Sequence, residues 1–130
     1  SNLGLNIIMA AISIIIPTLN EEKYLPKLLD SIKKQTYKDY EIIIADSDSK
    51  DNTIKIARKY KCRTTKIKNG SPAKGRNAGA KIAKGDIFVF LDADGELLDN
   101  YFIEKLVLNF KGKKLDAVHV NMFLLPIRGS

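Results

Sequence analysis

The apolar run Ile87-Phe88-Val89-Phe90-Leu91 closes on Asp92-Ala93-Asp94, two carboxylates one residue apart. Side chains at i and i+2 of a strand leave on the same face, so the spacing predicts two oxygen donors emerging together from the end of a buried strand. Such a pair suits a hard divalent cation, Mn²⁺ or Mg²⁺, which takes one or two carboxylates and completes its shell with water and phosphate oxygens. The chemistry this implies is metal-assisted handling of a diphosphate. The same residues taken alone would also solvate a turn or cap a helix. Three further polar segments border apolar runs: Pro17-Thr18-Leu19-Asn20-Glu21-Glu22, Asp46-Ser47-Asp48-Ser49-Lys50-Asp51-Asn52-Thr53, and Gly75-Arg76-Asn77-Ala78-Gly79. Arg76 offers a fork of donors for a diphosphate or a base edge, and equally reads as a surface arginine. Asp46 reads as a loop cap, Ser49, Asp51 and Thr53 as cap and turn residues, and Glu21 and Glu22 as first-turn acids favoured by a helix dipole.

The elements that must position these residues alternate between short apolar strands and helical patterns. That alternation predicts an α/β fold, a three-layer α/β/α arrangement around a mostly parallel sheet. Ile12 to Ile16 is the first strand, stopped by Pro17, and Leu25, Leu28, Leu29 and Ile32 recur at helical spacing over about 21–35. A strand over 41–46 follows, then a helix capped by Ser49 or Asp51 that carries Ile54, Ala57 and Tyr60 on one face. A weaker strand over 62–67, a helix over 73–84 with Gly85 as its C-cap, and the strong strand over 86–91 come next. Phe102, Leu106 and Phe110 mark a further helix, and a last strand over 117–125 reaches an edge before Pro126. Ligands of parallel α/β sheets bind beyond the carboxyl ends of the strands, where the polar segments fall.

With 130 residues and 45% apolar composition the chain suits one domain with a real core. We expect residues 9–130 to form it, with Met9 as the natural initiator and residues 1–8 a leader or vector-derived segment. A single cysteine, Cys62, excludes an internal disulfide and fits a reducing compartment. The net charge of +7 favours an anionic partner. Its basic residues are dispersed through helical segments, and no helix-turn-helix, RNP or zinc-finger pattern occurs, so nucleic acid is not the expected partner. No apolar stretch has the length of a membrane span; the expected location is cytoplasmic, with association at the cytoplasmic face of a membrane open. His119, the one histidine, lies in a strand pattern and reads as structural.

Taken together, Ile16-Pro17-Thr18-Leu19-Asn20-Glu21-Glu22, Asp46-x-x-Ser49-x-Asp51-Asn52-Thr53, Gly75-Arg76-Asn77-x-Gly79 and Leu91-Asp92-Ala93-Asp94 resemble, in order and spacing, the family 2 glycosyltransferases. The resemblance implies a GT-A, nucleotide-diphospho-sugar transferase fold. It also implies metal-dependent transfer of a sugar from a UDP- or GDP-sugar, with inversion, to an acceptor such as a lipid phosphate or glycan. Pro17, Thr18, Asn20, Glu21, Asp46, Arg76 and Asp92 would bind the nucleotide. Asp46 would face the ring N–H of the base; Asp94, with Asp92 beside it, would hold the metal that bridges the diphosphate. Two positions depart from the pattern, Ser47 and Asp48, where the family often has Asp and Gly; Asp48 distorts its loop if that place needs positive φ. Family members draw their general base from well beyond the D-x-D pair. Here the remaining acids are Glu96, Asp99, Glu104 and Asp116, none in a recognisable motif, and Glu96 and Asp99 read as helix-start residues. The expectation is a nucleotide-sugar half lacking its acceptor side, with a binding module that does not transfer sugar as the alternative. A phospho-aspartate receiver domain would carry its acidic pair after the first strand, where Thr18 and Leu19 stand.

Overall fold

The computed structural model describes residues 10–109 and the backbone of Val118–Asn121. Five strands form one wholly parallel sheet: β1 (Ile12–Thr18), β2 (Tyr40–Asp46), β3 (Arg63–Lys66), β4 (Ile87–Phe90) and β5 (Val118–Asn121), in the order β3-β2-β1-β4-β5. β1 lies at the centre, hydrogen-bonded to β2 on one side and β4 on the other. Its β-branched residues must therefore be covered on both faces, and Ile12, Ile14, Ile15 and Ile16 are all fully buried. Each contributes about 1.5–3 kcal/mol relative to exposure.

Strand alternation divides that burial between two layers. Ile12, Ile14 and Ile16 pack with α1 (Leu25–Lys33), α2 (Thr53–Lys59) and α4 (Phe102–Asn109) through Leu25, Leu28, Leu29, Ile32, Ala57, Ile103 and Val107. Ile15, Ile43, Phe88 and Phe90 face the opposite layer, where Ala80 and Ile82 of α3 (Pro72–Ile82) cover them. The three-layer expectation holds. Gly79 lets α3 lie close, because a Cβ there would meet Ile15 Cγ2 at 2.4 Å.

Local boundaries depart from expectation for identifiable reasons. α1 begins at Leu25 instead of Glu21, because the chain first makes a turn in which the Glu21 carbonyl accepts from Tyr24 N and Leu25 N. Neither Ser49 nor Asp51 is the N-cap of α2; Asn52 takes that place, while Asp51 Oδ1 accepts from Thr53 N at 2.9 Å from just outside it. Gly85 is not the C-cap of α3, which ends on extended Ala83. Gly85 is needed for close approach, since a Cβ would lie 2.7 Å from Ser13 N and 2.8 Å from Ala11 O. β5 stands at one edge of the sheet and β3 at the other; of the strand expected over 117–125, Val118–Asn121 is the described part. Residues 1–8, Met9, Phe110 and Asp116 lie outside the described residues.

Candidate functional site

A parallel sheet delivers all its strand ends to one edge, and the order β2-β1-β4 sets three of the chemically loaded loops side by side. A cavity of about 330 Å³ opens there. Pro17, Thr18, Leu19 and Glu21 enter it from β1, Ser47 from β2, and Asp92, Ala93 and Asp94 from β4. Ser71 and Pro72 close it from the start of α3, where the Ser71 hydroxyl caps the helix by accepting from Lys74 N at 3.2 Å. A second lobe of about 410 Å³, lined by Asp48, Lys68 and Asn69, shares Leu19, Ser47 and Gly70 with the first.

The two carboxylates of the D-x-D pair line the first lobe together, though not as strand neighbours. β4 ends at Phe90; Leu91 N still donates to Ile15 O, after which Gly95 N donates to Asp92 O at 3.0 Å and closes a turn. Ala93 is buried beneath that turn, Asp94 is half-buried and Asp92 exposed. No group of three or more His, Cys, Asp or Glu able to hold a metal occurs among the described residues. A donor set of two carboxylate side chains and no nitrogen or sulfur fits Mn²⁺ or Mg²⁺, which leave their other positions to water and phosphate, and does not fit a structural zinc site.

Asp46 has a different surrounding from the one expected. It is fully buried and lines neither lobe. Its Oδ1 accepts from the Thr18 and Ser49 hydroxyls, each at 2.6 Å, and its Oδ2 accepts from Ser49 N at 2.8 Å. A buried carboxylate without such partners would cost several kcal/mol, and with them it becomes a knot that fixes the ends of β1 and β2. The residue that faces the cavity is its neighbour Ser47, which the sequence reading noted only as a departure from a family pattern. One residue of strand register separates the two roles.

The loops after β1 and β2 are laced together. Asn20 N donates to Ser49 Oγ at 2.8 Å and Lys50 N to Asn20 Oδ1 at 2.8 Å. Glu21 N donates to Thr53 Oγ1 at 2.8 Å, Glu22 N to Asp51 Oδ2 at 3.1 Å, and Asn52 N to Glu22 Oε1 at 2.9 Å. Glu22 thus stands before α1 and serves the start of α2, which replaces its reading as a first-turn acid of α1. Burial alone would raise the Asp51 carboxyl; the Thr53 hydroxyl and the N–H groups of Thr53 and Glu22 outweigh it and hold the group low. Asn20, Asp48 and Asn69 adopt positive φ of 54°, 61° and 48° around this cleft. Asp48 thus meets the condition named for it in the sequence, a place of positive φ held by a residue other than glycine.

Arg76 is half-buried on α3 and lines neither lobe; adjacent Gly75 seats the helix on Pro17, whose Cβ would be 2.9 Å from an added Cβ. Among the candidate bases, Asp99 accepts from Tyr101 N and Lys105 Nζ, as a helix-start residue does, and Lys105 holds its carboxyl below the ordinary range. Glu104 accepts from the Thr36 hydroxyl at 3.0 Å. Glu96 lines a separate groove beside Lys23 and Lys27. None of these three lines either lobe. No helix among the described residues is long and apolar enough to cross a membrane.

Comparison with known proteins gives a consistent result. The family model described as glycosyl transferase family 2 matches residues 13–124. Poly(ribitol-phosphate) beta-N-acetylglucosaminyltransferase TarS of Staphylococcus aureus is 32% identical over 129 residues, covering 93% of this chain and 22% of TarS. A crystal structure of residues 1–349 of S. aureus TarS in complex with UDP superposes with a TM-score of 0.73 at 30% identity, covering 77% of this chain and 32% of that one. The mannosyltransferase PcManGT of Pyrobaculum calidifontis, in complex with GDP-Man and Mn²⁺, gives a TM-score of 0.63 at 26% identity, covering 75% of this chain and 30% of its own. The chain thus spans about a fifth to a third of the length of these proteins.

Proposed function

Because the chain belongs to glycosyl transferase family 2, we propose that its cleft binds a nucleotide-diphosphate sugar as the donor half of a metal-dependent, inverting glycosyltransferase. The observation that carries this reading is the meeting of the Asp92–Asp94 turn with the loops after β1 and β2 in one cavity. Relatives bound to UDP, or to GDP-Man with Mn²⁺, support it. Asp94 and Asp92 hold the metal, which when bound supplies positive charge to the nucleoside-diphosphate leaving group. Thr18 and Glu21 line the path of the nucleoside, and Asp46 acts beneath them by holding Thr18 in place. Ser71 and Pro72 bring the positive end of the α3 dipole to the same lobe, where it favours the phosphates. Arg76 lines neither lobe, and its part in this reading rests on the fork of donors that it would offer a diphosphate.

The acceptor is a lipid phosphate or glycan, an assignment that the charge of +7 favours for its anionic forms. That chemistry would bring the chain to the cytoplasmic face of a membrane. Glu96, Asp99 and Glu104 line neither lobe, so the general base comes from elsewhere in the protein, and turnover at these lobes without it is slow. Calorimetric titration with UDP and GDP, with and without Mn²⁺, tests the donor reading: metal-dependent binding is expected, and binding of neither nucleotide would overturn it. Acceptor-dependent release of UDP at about 1 s⁻¹ or faster would overturn the slow-turnover claim, since general-base help contributes about 10² to 10⁴ in rate.

A further inference from the structure

We infer that the hydroxyl of Ser47, and not the carboxylate of Asp46, reads the edge of the nucleobase, and that the site therefore accepts uracil and cytosine alike. The inference rests on the nucleotide-sugar reading above and concerns which base that site takes. Phosphates held at the Asp92–Asp94 turn fix one end of the ligand beyond β4, and β1 separates β4 from β2. At about 4.8 Å between strands, Ser47 lies roughly 10 Å across the cleft, the reach of a nucleoside from its phosphate to its base. Ser47 also stands where the two lobes join, half-buried, with Gly70 against it; a Cβ on Gly70 would come within 2.6 Å of Ser47 Oγ.

The neighbouring hydroxyls are already committed. Thr18 and Ser49 donate to Asp46, and Thr53 donates to Asp51. Ser47 Oγ alone of this loop's hydroxyls has no hydrogen-bond partner among the described residues. Asp48 and Lys68 stand exposed at the rim of the second lobe, and Asp48 is occupied by Lys50 at 3.0 Å and Lys66 at 3.6 Å. A hydroxyl both donates and accepts, whereas a carboxylate only accepts. Uracil presents an N–H at ring position 3 and cytosine a bare nitrogen, so a carboxylate at this point would select uracil and a serine satisfies either.

The test is calorimetric titration of UDP and CDP in Mn²⁺ with the wild-type chain and with Ser47→Asp, Ser47→Ala and Asp48→Asn. Wild type is expected to bind the two within about tenfold of one another. Ser47→Asp should raise the UDP:CDP affinity ratio at least about tenfold, and Ser47→Ala should weaken both by a similar small factor. A wild-type preference for UDP above about a hundredfold overturns the inference whether or not any variant folds. So does a ratio that moves in Asp48→Asn and not in a folded Ser47→Asp, which would make Asp48 the reader. Binding of UDP and GDP without these base effects leaves the donor reading intact and removes only this one; failure to bind any of the three removes both.

Discussion

At the residue scale the acidic pair that lines the cleft and the buried Asp46 beneath it differ in kind, and substitution should separate them. Asp94→Ala removes a carboxylate that in the proposed donor site would hold the metal; nucleoside-diphosphate affinity in Mn²⁺ should fall about ten- to a hundredfold, with the fold unchanged by circular dichroism. Unaltered affinity would contradict the metal assignment. Asp46→Ala instead leaves the buried Thr18 hydroxyl without its acceptor and unties the half-buried Ser49 from β2, and should cost about 2–4 kcal/mol in urea unfolding. Any loss of affinity should then be equal for UDP and for pyrophosphate, because both need the loops that Asp46 ties. A loss confined to UDP would restore Asp46 as a base reader. The D-x-D pair was legible in the sequence because composition and spacing alone define it. That Asp46 is enclosed while Ser47 lines the cavity was not, because it depends on where β2 ends, and a one-residue change turns a side chain from cavity to core.

At the element scale, α3 is held against β1 by two glycines, each a turn apart on one helix face, Gly75 on Pro17 and Gly79 on Ile15. Alanine in place of Gly79 gains about 1 kcal/mol in helix propensity, yet its methyl would sit 2.4 Å from Cγ2 of the fully buried Ile15 in the middle of β1. Overpacking of that kind costs about 1–3 kcal/mol, so Gly79→Ala should lower the thermal midpoint; an increase would show that α3 can slide away from the sheet. The strand and helix order was readable from periodicity, since covered parallel strands must be apolar on both faces. The start of α1 was not readable in the same way. Asn20 takes a left-handed conformation and the chain spends Glu21 to Tyr24 on a turn stitched to the next loop by Ser49, Asp51 and Thr53, contacts about 30 residues distant in sequence.

At the scale of the whole molecule, its titrating groups bracket a stability plateau. Burial would raise the Glu41 carboxyl, but Lys84 N–H, the Ser13 hydroxyl and Arg63 outweigh it and hold it below its ordinary 4.5. A lowered carboxyl contributes stability above the unfolded value that is lost as the pH falls through the folded one. On the alkaline side burial pushes the Cys62 thiol from 9.0 up to about 11, and burial also raises the Tyr37 and Tyr40 phenols. A raised thiol contributes stability fully present below 9.0 and lost as the pH approaches 11. Urea midpoints should therefore decline below about pH 4.5 and again between pH 9 and 11, and Cys62→Ser should flatten only the alkaline decline. A further consequence lies in the sheet order, in which β1 is the centre and its two neighbours both follow it along the chain, β2 directly and β4 only after two further helices and a strand. During synthesis β2 and β3 can dock on one side once residue 66 has emerged, but the other side of β1 waits for β4 at Ile87–Phe90. Over that interval Ile12-Ser13-Ile14-Ile15-Ile16, uncharged and strongly β-forming, shows an open backbone edge to every other nascent copy. The strand that becomes the most protected in the finished protein is thus its principal hazard while it is being made.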